Sequence, residues 1–252
     1  MALTIILVLL LGIGTGGIGY LIWQNAEMNR AAEEIAKTPI PEILDVQDEG
    51  VSGNPIDFAE LQAENPDIYA WIYIPGTEVN LPILQHPHDD GFYLSHNRHG
   101  LYAAEGSIYT ELQNNRDFKD PVTLIYGHNM KNGSMFASLH EFEDPAFFAA
   151  NRTMYIYTPD EILTYRVAAA YQYDNRHILN SFDFSDPAVV QDYFRSVSTP
   201  SSSISNVEEG LSLDSRSDKI VQLSTCTGDE NRLIRRYIVT GELVNEQETI
   251  NS

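Results

Sequence analysis

Cys226 is the only cysteine in a chain of 252 residues, so no disulfide can form within the chain. The thiol is either buried filler or a reactive group. Its surroundings favour the second. A β-type run, KIVQLST (219–225), delivers Cys226 to a polar loop, TGDEN (227–231), and the strand expected next carries Arg232, Arg235 and Arg236. A thiol at a strand end beside fixed positive charge is placed where a thiolate is stabilised. A cysteine nucleophile also needs a base or cation partner and a donor for the developing oxyanion. Among seven histidines, His128 stands apart. It ends the run VTLIYG, so a rigid element aims it, and Gly127 lets the backbone turn sharply beside it. A strand-end histidine can equally be structural, and arginines at a strand start can be a solvated edge. Residue types alone leave both alternatives open.

The other histidines, His86, His88, His96, His99, His140 and His177, are expected to matter much less. The cluster His86-Pro87-His88-Asp89-Asp90 has metal-ligand chemistry, but Pro87 breaks helical register and the spacings match no closed zinc motif. The acidic loop 227–231 lacks the ligand count of a dedicated calcium site and reads as solvated. No metal and no cofactor is expected.

These residues need a scaffold. Eight β-rich runs bounded by turn residues can supply it: AWIYIPG, LPILQ, GSIYTEL, VTLIYGH, MYIYTP, LTYRVAAAYQY, KIVQLST and RRYIVTGELV. Their spacing and alternation point to a mainly β fold, a barrel or sandwich with a few short helices. Helices are expected at 57–65 with Asp57 or Asn54 as cap, at 134–140, at 145–150, and at 186–197, where Asp186 caps and Pro187 occupies the first turn. The Ser-rich stretch 198–205 reads as a loop. No internal repeat is present.

Residues 2–23, ALTIILVLLLGIGTGGIGYLIW, contain no charged side chain, and about 20 apolar residues span a bilayer as a helix. The run is too long for a signal-peptide core, lacks a basic start and is followed by no clear cleavage site. It is therefore expected to stay as a single-pass anchor with the large polar remainder outside the cell. The expected domains are an anchor at 1–23, a helical and linker segment at 24–54 and a catalytic domain at 55–252. A formal charge of −21 excludes nucleic acid as a partner, because phosphate binding needs clustered Lys and Arg.

Three blocks carry a family resemblance: TLIYGHNMKNGSMFASL (123–139), LSTCT (223–227) and RYIV (236–239). Together they resemble the signature blocks of sortases, most strongly class B. DFAELQAENPDIYAWIYIPGTEVNLPILQ (57–85) and YLSHNRHGLYAAEGSIY (93–109) extend the likeness, which runs from about residue 55 to residue 243. The resemblance implies an eight-stranded β-barrel with added short helices, behind an N-terminal transmembrane helix. It also implies a cysteine transpeptidase of a Gram-positive cell surface. Such an enzyme cleaves a secreted protein's C-terminal sorting signal, of the NPxTx or xPxTG type, after Thr and transfers the acyl group to a cell-wall amine. Cys226 matches the family nucleophile and His128 the catalytic histidine. Arg236, ten residues after Cys226 and followed by Tyr237-Ile238-Val239, fits the family arginine better than Arg235 or Arg232. Ser224 and Thr225 are candidate substrate contacts. The acceptor would be a peptidoglycan precursor or, in the alternative, a pilin lysine. A non-enzymatic β-barrel adhesin is a further alternative. An L,D-transpeptidase would need an SHGC-like block, which is absent.

Overall fold

The computed structural model describes residues 53–228 and 235–249, and singly Gly19, Trp23 and Ala26, each helical and exposed. The chain divides into two compact units, Met1–Pro39 and Ile40–Ser252. The anchor expected over 2–23 and the helix expected near 24–37 lie outside the described residues apart from those three positions, as do Arg232 and most of the acidic loop. Among the described residues no helix is long and apolar enough to cross a membrane.

Nine strands form one sheet: β1 Ile68–Tyr73, β2 Asn80–Leu84, β3 Ile108–Tyr109, β4 Val122–Tyr126, β5 Thr153–Tyr157, β6 Glu161–Asp174, β7 Ser205–Val207, β8 Ile220–Cys226 and β9 Arg235–Glu248. The order β5-β1-β2-β3-β4-β8-β9-β6 closes on itself through the antiparallel pairing of β5 with β6, giving a ring of eight strands. Closure removes the exposed edges that an open sheet would present. The eight runs read from the sequence are these eight strands. The ninth, β7, pairs along Ala169–Tyr171 of β6. It grows out of the end of the Ser-rich stretch, whose composition carries no strand pattern. Two pairings are parallel, β2 with β3 and β4 with β8. The second of these brings the two chemistry-bearing strands together.

Among residues 53–228 and 235–249 the α-helices are α1 Phe58–Glu64, α2 Pro145–Ala150, α3 Ile178–Ser181 and α4 Pro187–Ser198, and 3-10 turns run over Phe92–Leu94 and Ala137–Glu143. The helix expected at 134–140 is therefore the 3-10 segment, displaced by three residues. The sequence offered no sign of α3, which is a single turn. Asp186 caps α4 by accepting from the Ala188 amide at 2.8 Å, with Pro187 in the first turn as expected. The apolar face of α4, Val190, Tyr193, Phe194 and Val197, packs with Val122, Leu124, Ile220 and Ile238 on the outside of the sheet. Full burial of side chains of this size contributes about 1.5–3 kcal/mol each. Gln222 is fully buried in this interface. Its Oε1 accepts from the Tyr193 hydroxyl at 2.6 Å, and its Nε2 donates to Tyr171 and Thr240. A buried amide with its partners in place specifies one arrangement, so α4 is pinned to β8. The alternate residues Val221, Leu223, Thr225, Tyr237 and Val239 face the other side of the sheet and form part of the barrel interior.

Candidate active site

Cys226 is the last residue of β8 and is half-buried. The antiparallel register of β8 and β9 sets it directly opposite Arg236. Cross-strand partners project from the same face, so thiol and guanidinium share a side of the sheet. Arg235 pairs instead with Asp174 of β6 and donates from Nη1 to Gln172 Oε1 at 3.2 Å, on the alternate face. Arg236 donates from Nη1 to the Arg235 carbonyl oxygen at 3.1 Å. Burial lifts the Tyr109 phenol well above its usual range, Glu111 and Asp90 add to the rise, and the Arg236 charge opposes it. Tyr109 and Tyr126 stack with ring centroids 5.4 Å apart.

On the other flank, β4 runs parallel to β8 with Tyr126 in register with Ser224. Past that pair the Gly127 amide still donates to the Ser224 carbonyl at 3.1 Å, and the chain then leaves the ladder into His128 as β8 ends at Cys226. His128 and Arg236 therefore come from the two segments that flank β8, on either side of Cys226. The His128 ring donates from Nε2 to the Leu94 carbonyl at 2.8 Å. That bond places the proton of the neutral ring on Nε2 and leaves Nδ1 for exchange.

The backbone around His128 is held by a short hairpin. The Phe136 amide donates to the His128 carbonyl at 2.9 Å, and Asn129 bridges Met135. Gly133 and Met135 both adopt left-handed backbone angles, φ 85° and 57°. For the non-glycine Met135 this costs of order 1–3 kcal/mol, and its side chain is buried. Gly127 answers a different demand. A Cβ there would lie 2.6 Å from Ile108 Cδ1 and from Phe136 Cδ2, so no side chain fits where the chain turns into His128.

The two remaining candidates separate. Ser224 shares the face of Cys226, whereas Thr225 pairs with Tyr237 on the interior face and is 2% exposed. His86 stacks on Phe92 at 4.3 Å and Phe92 on His96 at 3.9 Å, so these two histidines belong to an aromatic stack. Among the described residues no three His, Cys, Asp or Glu side chains converge as metal ligands would. His177 accepts the Asn180 amide at Nδ1 and donates from Nε2 to the buried Glu111 at 2.9 Å. His140, expected to be a bystander, is the residue that sequence reasoning missed. Its Nε2 lies 3.0 Å from the Cys226 carbonyl oxygen. A lone histidine in a 3-10 turn carries no motif that would reveal this contact.

The sortase domain family matches residues 72–244. The chain belongs to the sortase family. Sortase B of Listeria monocytogenes is 33% identical over 190 residues, covering 75% of each chain. The structure of Bacillus anthracis sortase B in complex with AAEK1 superposes with a TM-score of 0.68 at 28% identity, covering 89% of this chain and 98% of that one. A Streptococcus pyogenes class B sortase involved in pilus biogenesis gives a TM-score of 0.63 at 27% identity, over 75% and 98% of the respective chains. These relatives place the chain in class B, as a sortase-type cysteine transpeptidase with the mainly β eight-stranded barrel of that class. Neither an adhesin nor an L,D-transpeptidase is consistent with that membership.

Proposed function

We propose that this sortase cleaves a C-terminal sorting signal of the NPxTx or xPxTG type after Thr and joins the new acyl end to a cell-wall amine. The meeting of Cys226 with Arg236 across β8 and β9, with His128 on the segment that continues β4 on the other flank, carries the reading. The Cys226 thiol gives its proton to His128 at Nδ1, the thiolate attacks the threonine carbonyl, and the electron pair moves to oxygen. The Arg236 guanidinium faces that position and donates N–H groups to the oxyanion. Collapse breaks the C–N bond, the leaving amine takes a proton from His128, and a thioester to Cys226 remains. An incoming amine then attacks the thioester and gives its proton back to His128, and the C–S bond breaks. Ser224 is also buried, at 5% exposed, but lies on the thiol's face, and of Ser224 and Thr225 it is the one whose side chain is on the reacting side. Thr225 would contribute through the strand's backbone rather than its side chain.

The charge-free stretch 2–23 serves in this reading as a single-pass anchor that holds the catalytic domain outside the cell, where sorting signals and cell-wall amines occur. The second reading is a pilin-joining enzyme with a lysine amine as acceptor. The similarity to the Streptococcus pyogenes pilus sortase favours keeping it, and only the acceptor differs. The test incubates the full chain in detergent with a panel of both signal types, with and without triglycine or a lysine-bearing peptide. Mass spectrometry should find an acyl adduct on Cys226 when no amine is present, and an amine-linked peptide when one is. Absence of an adduct with every peptide overturns the proposal.

A further inference from the structure

The parallel ladder between β4 and β8 breaks beside the nucleophile. The Gly127 amide donates to the Ser224 carbonyl at 3.1 Å. Parallel pairing repeats every two residues, so the next bond would run from the residue-129 amide to the Cys226 carbonyl. The Asn129 side chain takes that place: its Nδ2 lies 3.1 Å from the Cys226 oxygen. The same Nδ2 is 3.0 Å from His140 Nε2, and His140 Nδ1 is 2.7 Å from Glu143 Oε1. The His140 ring lies flat on Tyr237, with centroids 4.9 Å apart and planes 25° apart. Tyr237 is fully buried on the interior face, next in sequence to Arg236.

The protons can be counted. A neutral His140 gives its Nδ1–H to the Glu143 carboxylate, so Nε2 is bare and accepts one Asn129 N–H. The second Asn129 N–H goes to the Cys226 carbonyl. A protonated ring would donate from Nε2 to the same carbonyl. In either state the Cys226 carbonyl is held by side chains from the segments around residues 129 and 140. His128 and Asn129 are consecutive, so one two-residue segment supplies the catalytic imidazole and the clamp on the nucleophile's backbone.

The geometry points to Asn129 and His140, backed by Glu143, as positioning residues that fix the Cys226 peptide relative to His128. This deepens the proposed mechanism and rests on Cys226 as its nucleophile. None of the three need touch substrate. Misplacing a reacting group by about 1 Å can cost on the order of 100-fold in rate.

Because Cys226 is the only cysteine, labelling cysteine with carbonyl ¹³C gives the full chain one labelled site. Its resonance reports the clamp without substrate. Asn129→Ala should move it upfield, as loss of a donor does, and His140→Ala and Glu143→Gln should move it the same way by less. In single-turnover acylation with a peptide that the parent accepts, Asn129→Ala and His140→Ala should each lower the rate about 10- to 100-fold. Peptide KM should stay within about threefold and the melting temperature near the parent's. His140→Gln, which keeps an acceptor for Asn129, should recover part of the loss. The double variant should be no worse than the poorer single one, since members of one chain act as a unit. An unmoved carbonyl resonance in Asn129→Ala overturns the inference. So do parent-like acylation in the folded single variants, or losses that simply multiply in the double. If the parent acylates with no peptide, the proposed function fails instead, and the carbonyl resonance alone decides the clamp.

Discussion

Cys226 and Arg236 are directly opposed partners on β8 and β9, while Arg235 opposes Asp174 on the far side of β9. One residue of register thus separates an arginine that faces the thiol from one that does not. Arg236→Lys keeps the charge but loses the planar fork, and Arg236→Ala loses both. Loss of an oxyanion donor typically costs about 10²–10³ in rate, so both variants should be strongly impaired, the alanine more so. Arg235→Ala should stay within a few-fold of the parent. Transfer kinetics on a fluorescent sorting peptide measure this. A dead Arg235→Ala beside a working Arg236→Ala would place the chemistry on the other face of the strand.

The nucleophile permits a sharper test. Cys226→Ala should abolish peptide cleavage and amine transfer together. Cys226→Ser should be almost as inactive, because a hydroxyl is the far weaker nucleophile at neutral pH. Alkylation of the single thiol should do the same to the unmodified chain. Turnover persisting in the alanine variant would mean that no covalent thioester forms.

His128 and the remaining histidines differ in what they touch. His128→Ala or His128→Gln should lower the rate by about 10²–10⁴, the usual worth of general acid–base catalysis, with folding retained. His86 and His96 lie in the stack with Phe92, so their alanine variants should lower the melting temperature more than the rate. If His96→Ala matched the catalytic loss at His128, the proton carrier would have been assigned to the wrong ring.

How far the site was legible follows from what each residue signals locally. The eight barrel strands were readable because alternation and turn residues bound each one. Cys226, His128 and Arg236 stood out because each occupies a strand end next to chemistry-bearing neighbours. The face of Arg236 followed from strand period alone. The clamp was not legible. It joins Asn129, His140 and Cys226 across 97 and 86 residues, and Asn129 bonds through its side chain where pattern reasoning expects a backbone ladder. Thr225 shows the same limit from the other side. Being adjacent to the nucleophile suggested substrate contact, but the strand's alternation turns it into the barrel. The strand β7 and the one-turn α3 are too short to leave a periodic trace.

Gly127 predicts a loss that a conformational argument alone would not. Its added Cβ would meet the ring of Phe136, fully buried and unable to swing away, at 2.6 Å. Overpacking of this kind costs about 1–3 kcal/mol. The relief available is movement of the 127–128 segment, which carries His128. Gly127→Ala should therefore lower the acylation rate by more than its drop in melting temperature would explain. A variant with a reduced melting temperature but parent-like acylation would show that the strain is absorbed at Ile108 or Phe136 without reaching His128.

Glu111 offers a pH test of how the segment after β6 is attached. It is 8% exposed and accepts from His177 Nε2 at 2.9 Å, while Gln113 Nε2 donates to Asn180 Oδ1 at 2.8 Å. These two bonds tie the start of α3 to the chain following β3. Burial pushes the Glu111 carboxyl above its ordinary value; His177 opposes the shift and Asp90 adds to it. A raised folded value means that the group's contribution to stability is fully present below the unfolded value of about 4.3 and is lost as pH rises through the folded one. Glu111→Gln cannot ionise, yet its carbonyl can still accept from His177. The melting-temperature gain of this variant over the parent should thus be smallest near pH 4 and grow towards pH 7. Each 1 kcal/mol appears as about 2–4 °C in a domain of this size. Paired melts at fixed ionic strength cancel the titration of the groups that do not interact with Glu111. A gain that shrinks with rising pH would show the opposite balance, with the His177 contact outweighing burial and holding Glu111 in its charged form.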